Sequence, residues 1–186
     1  MPILSRETDI YPATLLDYAS LESNDSARWW AIYTLSRREK ELMRRLLAME
    51  IPFYGPLIPK RSKSPSGRVR TAYLPLFTNY VFLYGDEHAR YTAMTTNCVS
   101  RYVEVVDGVE LTRDLRQFRD LIAMEVPLTP ESSLQPGQRV RVKTGRFKGF
   151  EGTIIRRENE ERLLVAVNFL QQGASLLVED FEVEQI

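Results

Sequence analysis

Trp29-Trp-Ala-Ile-Tyr-Thr-Leu35 is a sustained run of aromatic and β-branched residues, the pattern of a central strand. Ser36-Arg-Arg-Glu39 follows with the spacing of a capping box, Ser36 as N-cap and Glu39 reaching back to it. The helix so opened carries Leu42, Met43, Leu46 and Leu47 on one side. Arg37, Arg38, Lys40, Arg44 and Arg45 occupy the other. Pro52 stops it, because a residue before proline avoids the α region. Residues 53–60 are apolar with prolines and predict an edge strand. Arg61-Ser-Lys-Ser-Pro-Ser-Gly-Arg68 reads as a flexible cationic loop, with a returning strand at 69–74. Tyr80-Val-Phe-Leu-Tyr84 is continuous enough for a buried strand, and residues 102–106 predict another, turned at Asp107-Gly108. Thr112 then caps a second helix whose inner side is Leu115, Phe118, Leu121 and Ile122.

The pattern changes at Met124. Pro127, Pro130, Ser132, Ser133, Pro136 and Gly137 mark a linker over 124–138. Beyond it, strands are predicted at 140–142, 152–155, 163–169, 175–178 and 181–183, a set that suits a small closed barrel. Leu163-Leu-Val-Ala-Val-Asn-Phe-Leu170 is apolar enough for either a helix or a strand; Val165 and Val167 decide for strand. At the other end, residues 1–27 read as a mostly flexible leader, with Leu15, Leu16, Tyr18 and Leu21 forming at most one amphipathic turn. The division is therefore leader 1–27, first domain 28–123, linker 124–138 and last domain 139–186. The fold class is α+β, a sheet with helices on one face followed by a small β-barrel.

Composition narrows the chemistry. Lys plus Arg and Asp plus Glu each number 25, so nucleic-acid binding needs local patches and gets no help from net charge. Cys98 is the sole cysteine, which excludes an intrachain disulfide and a cysteine-based metal site. His88 is the sole histidine and sits in the polar stretch Gly85-Asp-Glu-His-Ala-Arg90, read as a solvated loop. Asp86/Glu87 and Glu160/Glu161 are adjacent carboxylates in polar segments and read as solvated charges. No phosphate-binding Gly-Lys-Ser/Thr loop or nucleophile elbow occurs. A non-enzyme without cofactor or metal is expected. The N-terminus lacks a secretory pattern and no apolar run approaches about 18 residues, so a cytoplasmic, monomeric protein with no membrane partner is expected.

Val140-Arg-Val-Lys-Thr-Gly-Arg-Phe-Lys-Gly-Phe-Glu-Gly-Thr-Ile-Ile155 carries the most specific motif. Val140 and Val142 alternate with cations, and Gly145, Gly149 and Gly152 interleave with Phe147 and Phe150. The segment resembles the KOW motif, the core of an SH3-like barrel in transcription elongation factors and ribosomal proteins. That resemblance implies binding of RNA or protein. Phe147 and Phe150 read as barrel plugs.

Trp29-Trp-Ala-Ile-Tyr-Thr, the helix after it and Pro75-Leu-Phe-Thr-Asn-Tyr-Val-Phe82 resemble the N-terminal domain of the NusG family. With the KOW barrel, the likeness spans residues 28–186. It implies a factor that binds RNA polymerase and changes pausing and termination. Asn79 before Tyr80, where general members have Pro-Gly, is similar to specialised paralogues typified by RfaH.

The resemblance implies three surfaces. An apolar depression for the polymerase β′ clamp helices would be lined by Tyr33, Phe77, Tyr80 and Phe82, with Thr95 and Thr96 facing the β gate loop. Non-template DNA would meet Arg37, Arg38, Lys60, Arg61, Lys63, Arg68 and Arg70, whose charge suits phosphates. The KOW barrel would take RNA, Rho or a small-subunit ribosomal protein. On burial statistics alone the four aromatics read as core rings. A second reading, a ribosome-associated or RNA-binding KOW protein, leaves them so.

Overall fold

The computed structural model describes residues 6–18, 26–133, 137–157, 160–177 and 182–186, and its contacts divide the chain into two units, residues 1–109 and 110–186. The first unit opens with β1 (Ile10–Tyr11) and the short helix α1 (Leu15–Tyr18), followed by β2 (Arg28–Thr34), α2 (Glu39–Ala48), β3 (Phe53–Tyr54) and β4 (Leu57–Lys63). β5 (Val69–Pro75), β6 (Tyr80–Gly85), α3 (Glu87–Met94) and β7 (Val99–Glu104) complete it. Five strands form an antiparallel sheet in the order β1-β3-β6-β2-β7, while β4 and β5 form a separate two-stranded ribbon.

Strand parity sorts the sheet into two faces. Trp30 and Ile32 of β2, opposite Leu83 and Val81 of β6, pack with Leu42, Met43 and Leu46 of α2 and Ala93 of α3 in one core cluster. Each such aliphatic side chain contributes about 1.5–3 kcal/mol on full burial. Both helices thus lie on one face, as the α+β reading expects. Trp29, Ala31 and Tyr33 point the other way, opposite Tyr84, Phe82 and Tyr80.

Several local expectations are corrected. Residues 10–18 are no flexible leader: β1 pairs with β3 at the sheet edge, and Leu15 and Leu16 are fully buried. Leu21 lies outside the described residues. The capping box does not form. Arg37 takes a left-handed backbone (φ 61°), α2 starts at Glu39, and the Glu39 carboxylate accepts the Asn79 amide N–H at 2.8 Å. A tertiary donor has displaced the local one. The stretch containing His88 is no loop but the start of α3, capped by Asp86, whose carboxylate accepts the Ala89 N–H at 2.8 Å. The segment expected as a flexible loop between β4 and β5 is a continuous hairpin pairing Leu57–Pro75 through Lys63–Val69.

The second unit contains α4 (Gly108–Ala123) from Glu110 onward, then β8 (Thr129–Glu131), β9 (Gln138–Val142), β10 (Glu151–Arg157), β11 (Glu160–Val167), a 3₁₀ turn at Asn168–Leu170, β12 (Gln172–Leu177) and β13 (Val183–Gln185). Six strands run antiparallel in the order β13-β9-β10-β11-β12-β8, the sheet of a small KOW barrel. Leu163, Val165 and Val167 are buried in β11, so the ambiguous segment is a strand. Val140 and Val142 fill the interior of β9, and Phe150 packs edge-to-face on Phe147 at 6.4 Å. Gly145 and Gly149 carry positive φ (78° and 91°) in the turn between β9 and β10. Gly152 is required by proximity: a Cβ there would lie 2.5 Å from the Leu164 carbonyl oxygen of the paired strand.

The described residues from α4 to β9 are structured. α4, expected to complete the first domain, lies from Glu110 onward in the second contact unit, and Asp114 and Gln117 on it accept hydrogen bonds from Asn168 and Glu151. Thr112, expected as its cap, is buried inside the helix. The expected linker donates β8, which pairs with β12; Pro130 is tolerated there because β8 is an edge strand. Pro136 and the predicted strand ends at 178 and 181 lie outside the described residues.

Candidate functional site

Tyr33 and Tyr80 are direct cross-strand partners on the sheet face opposite α2, and their rings meet edge-to-face with centroids 5.1 Å apart. Both are half-buried. Edge-to-face pairing is worth about 0.5–1.5 kcal/mol beyond area, so each ring holds the other in position. Arg101 on β7 sits opposite Tyr33 and lays its guanidinium over that ring at 4.7 Å. Val103, on the same face, is 43% exposed. The loop before β6 completes the site. Asn79 has φ 64°, a left-handed backbone that Asn tolerates better than most residues, and its side-chain amide donates to the Tyr33 hydroxyl at 3.4 Å. The same residue's carbonyl accepts Thr34 N–H at 2.8 Å, and Glu39 holds its N–H.

The other two expected rings do not belong to the open surface. Phe77 is 1% and Phe82 0% exposed, packed edge-to-face at 6.0 Å. They are core, and the four-ring depression is corrected to a two-tyrosine patch flanked by Arg101 and Val103. Sequence reading missed Arg101, because cross-strand register carries no local signal. Thr95 is exposed, with its hydroxyl donating to Thr92 O at 2.7 Å. Thr96 is 4% exposed and its hydroxyl is spent on Ala93 O, so it cannot face a partner.

The cations separate into two groups. On α2, Glu41 binds both Arg45, at 2.8 Å, and Arg38, and Arg44 is held by Glu7 at 2.8 Å. Hydrogen bonds from Arg45 and then Arg38 hold the Glu41 carboxyl below its ordinary range. Arg37 precedes the helix and is exposed. These charges are mostly neutralised locally. The β4–β5 ribbon differs: residues 57–75 contain no acid, and among the described residues no carboxylate pairs with its cations. Lys60 and Arg70 lie on one face with Ala72 and Ser62, their cross-strand partners, while Arg61 and Lys63 lie on the other with Thr71 and Val69. All four side chains and Arg68 are exposed.

Among the described residues no group of three or more His, Cys, Asp or Glu could hold a metal, and no helix is long and apolar enough to cross a membrane. The described residues thus form a helix-backed sheet with a two-tyrosine patch and an acid-free ribbon, followed by a KOW strand set. Residues 27–118 match the family described as transcription termination factor nusG, and residues 136–167 match the KOW motif. The chain belongs to the NusG family, whose members are non-enzymatic transcription elongation and termination factors that typically bind RNA polymerase. No curated protein matches it.

Proposed function

We propose that this protein binds RNA polymerase through the patch of Tyr33, Tyr80, Arg101 and Val103, taking the β′ clamp helices there, and acts as a processive antitermination factor. The observation that carries this reading is the Tyr33–Tyr80 pair, two half-buried rings at the end of a sheet face whose Trp29, Ala31, Phe82 and Tyr84 are buried. Rigid aromatic anchors beside an arginine have the composition of an interface hot spot. Thr95 is the residue left to approach the β gate loop. The ribbon cations Lys60, Arg61, Lys63, Arg68 and Arg70 neutralise phosphates of the non-template strand, and Rho or a small-subunit ribosomal protein engages the KOW module. Bridging the cleft stabilises the closed, elongating clamp over paused states by differential binding, with no bond made or broken. Asn79 supports a place among specialised members: it keeps the left-handed backbone a glycine would adopt and adds a hydrogen bond to Tyr33.

The test is retention of core RNA polymerase by the full chain, wild type against Tyr33→Ala/Tyr80→Ala. A loss of about 2 kcal/mol or more, roughly thirtyfold, is expected with the circular dichroism spectrum unchanged. Unaltered retention overturns the site. RNA retention without polymerase retention overturns the function in favour of an RNA-binding KOW protein.

A further inference from the structure

The β4–β5 ribbon is a projecting arm. Leu57 is buried at its base and Tyr73 packs on the core cluster, but from Pro59 to Ala72 every residue except the half-buried Ser64 is exposed. Its seven paired positions extend about 23 Å. The tip is fixed by three hydrogen bonds: the Ser64 N–H donates to the Arg68 carbonyl at 2.9 Å, the Gly67 N–H to the Ser64 carbonyl at 2.8 Å, and the Arg68 N–H to the Ser64 hydroxyl at 3.2 Å. Residues 57–75 hold five cations and no acid. Each cation on a strand faces a short partner: Lys60 faces Ala72, Arg61 faces Thr71, Arg70 faces Ser62 and Lys63 faces Val69. Nothing on the ribbon crowds or neutralises these charges.

The charge lies on both faces. Lys60 and Arg70 share one, and Arg61 and Lys63 share the other. A flat anionic partner, whether a membrane or the side of an acidic protein, meets one face and leaves the other pair without counter-charge. A single nucleic-acid strand also runs along one face. Duplex DNA differs, because each groove is walled by two facing rows of phosphate. The major groove is about 12 Å wide and about 8.5 Å deep and admits a two-stranded ribbon, whereas the minor groove is about 6 Å wide. A sheet with side chains on both faces is about 10 Å thick, the face-to-face spacing of packed sheets. The match is to the major groove. Its depth equals about two to three residues of strand, so a tip on the floor sets the strand cations at the phosphate rim. The major groove of A-form RNA is too narrow to be entered this way.

We propose that the ribbon enters the major groove of duplex DNA tip first, with Lys60 and Arg70 on the phosphates of one wall and Arg61 and Lys63 on those of the other. The inference rests on the ribbon being the DNA-binding surface. It goes beyond that reading in naming the form of DNA taken, the paired duplex beside the transcription bubble.

The probe is a short fluorescent DNA duplex titrated with the full chain over a range of salt. Lys60→Ala/Arg70→Ala and Arg61→Ala/Lys63→Ala each lower the slope of log affinity against log salt by about 2, and the two losses add in the combined variant. A duplex bearing glucosyl groups on 5-hydroxymethylcytosine, which fill the major groove and leave every phosphate in place, loses binding to the wild-type chain. Netropsin, which fills the minor groove, does not compete. These two comparisons need no variant and stand even if one misfolds. A response to one pair alone, equal binding of the glucosylated duplex, or an RNA duplex bound as tightly as DNA overturns the proposal. Single-stranded DNA bound at least as tightly as duplex, with losses from both pairs, overturns the groove and keeps the ribbon as a DNA surface. Duplex binding unmoved by either pair overturns both.

Discussion

Replacing Asp114 by asparagine makes the second unit more stable at neutral pH. The carboxyl is 3% exposed, and burial, opposed by the hydrogen bond from the Asn168 N–H, raises its pKa from 3.8 to about 6. The nearby Glu110 carboxylate pushes in the same direction. The folded state therefore holds this proton more tightly than the unfolded chain, and stability falls as pH rises through the interval between the two values. The penalty is absent below the unfolded value and complete above the folded one. The full shift corresponds to about 3 kcal/mol at most. Allowing for water reaching the site, about 1–2 kcal/mol is expected at pH well above 6. Asparagine keeps an oxygen for the Asn168 N–H and carries no charge, so Asp114→Asn recovers that amount at neutral pH and nothing in acid. Hydrogen exchange of the Leu163 and Val165 amides reads this unit, whereas Trp29 and Trp30 fluorescence reads the other. Parallel pH profiles for wild type and variant, or a variant less stable at neutral pH, would refute the reasoning.

Three further outcomes are expected. Glu39→Ala strips a buried carboxylate from the Asn79 N–H and destabilises the first unit by about 1–3 kcal/mol, while Glu39→Gln keeps an acceptor and loses less in urea denaturation. Gly152→Ala drives a Cβ against the Leu164 carbonyl and lowers the melting temperature of the KOW module, at a cost of about 1–3 kcal/mol. Arg61→Ala/Lys63→Ala reduces the slope of log affinity for single-stranded DNA against log salt by about 1–2, with Arg44→Ala/Arg45→Ala as a weaker control because those cations are already paired.

Much of the fold was legible because its central strands are runs of aromatic and β-branched residues. The runs at Trp29, Tyr80 and Val140 each became strands at the predicted positions, and the KOW glycines occupy the tight turn and the close strand contact that their density implied. What failed was decided at a distance. Glu39 fits a capping box locally, yet its carboxylate finds Asn79 across the fold. Pro130 reads as linker punctuation, yet an edge strand needs no N–H there. Leu15 and Leu16 read as part of at most one amphipathic turn in a leader, yet β1 ties their segment to β3. At the site, parity put Tyr80 and Phe82 on one face, but only tertiary packing separates the open tyrosine from the sealed phenylalanine. Arg101 could be found only through the β2–β7 register.

A photoreactive phenylalanine analogue in place of Tyr80 tests the polymerase contact most directly. With the full chain bound to core RNA polymerase, the account predicts a crosslink to the clamp helices of the β′ subunit from position 80 and none from the sealed position 82. A crosslink confined to RNA or to another subunit, or none from position 80 while the complex stays intact, would contradict it.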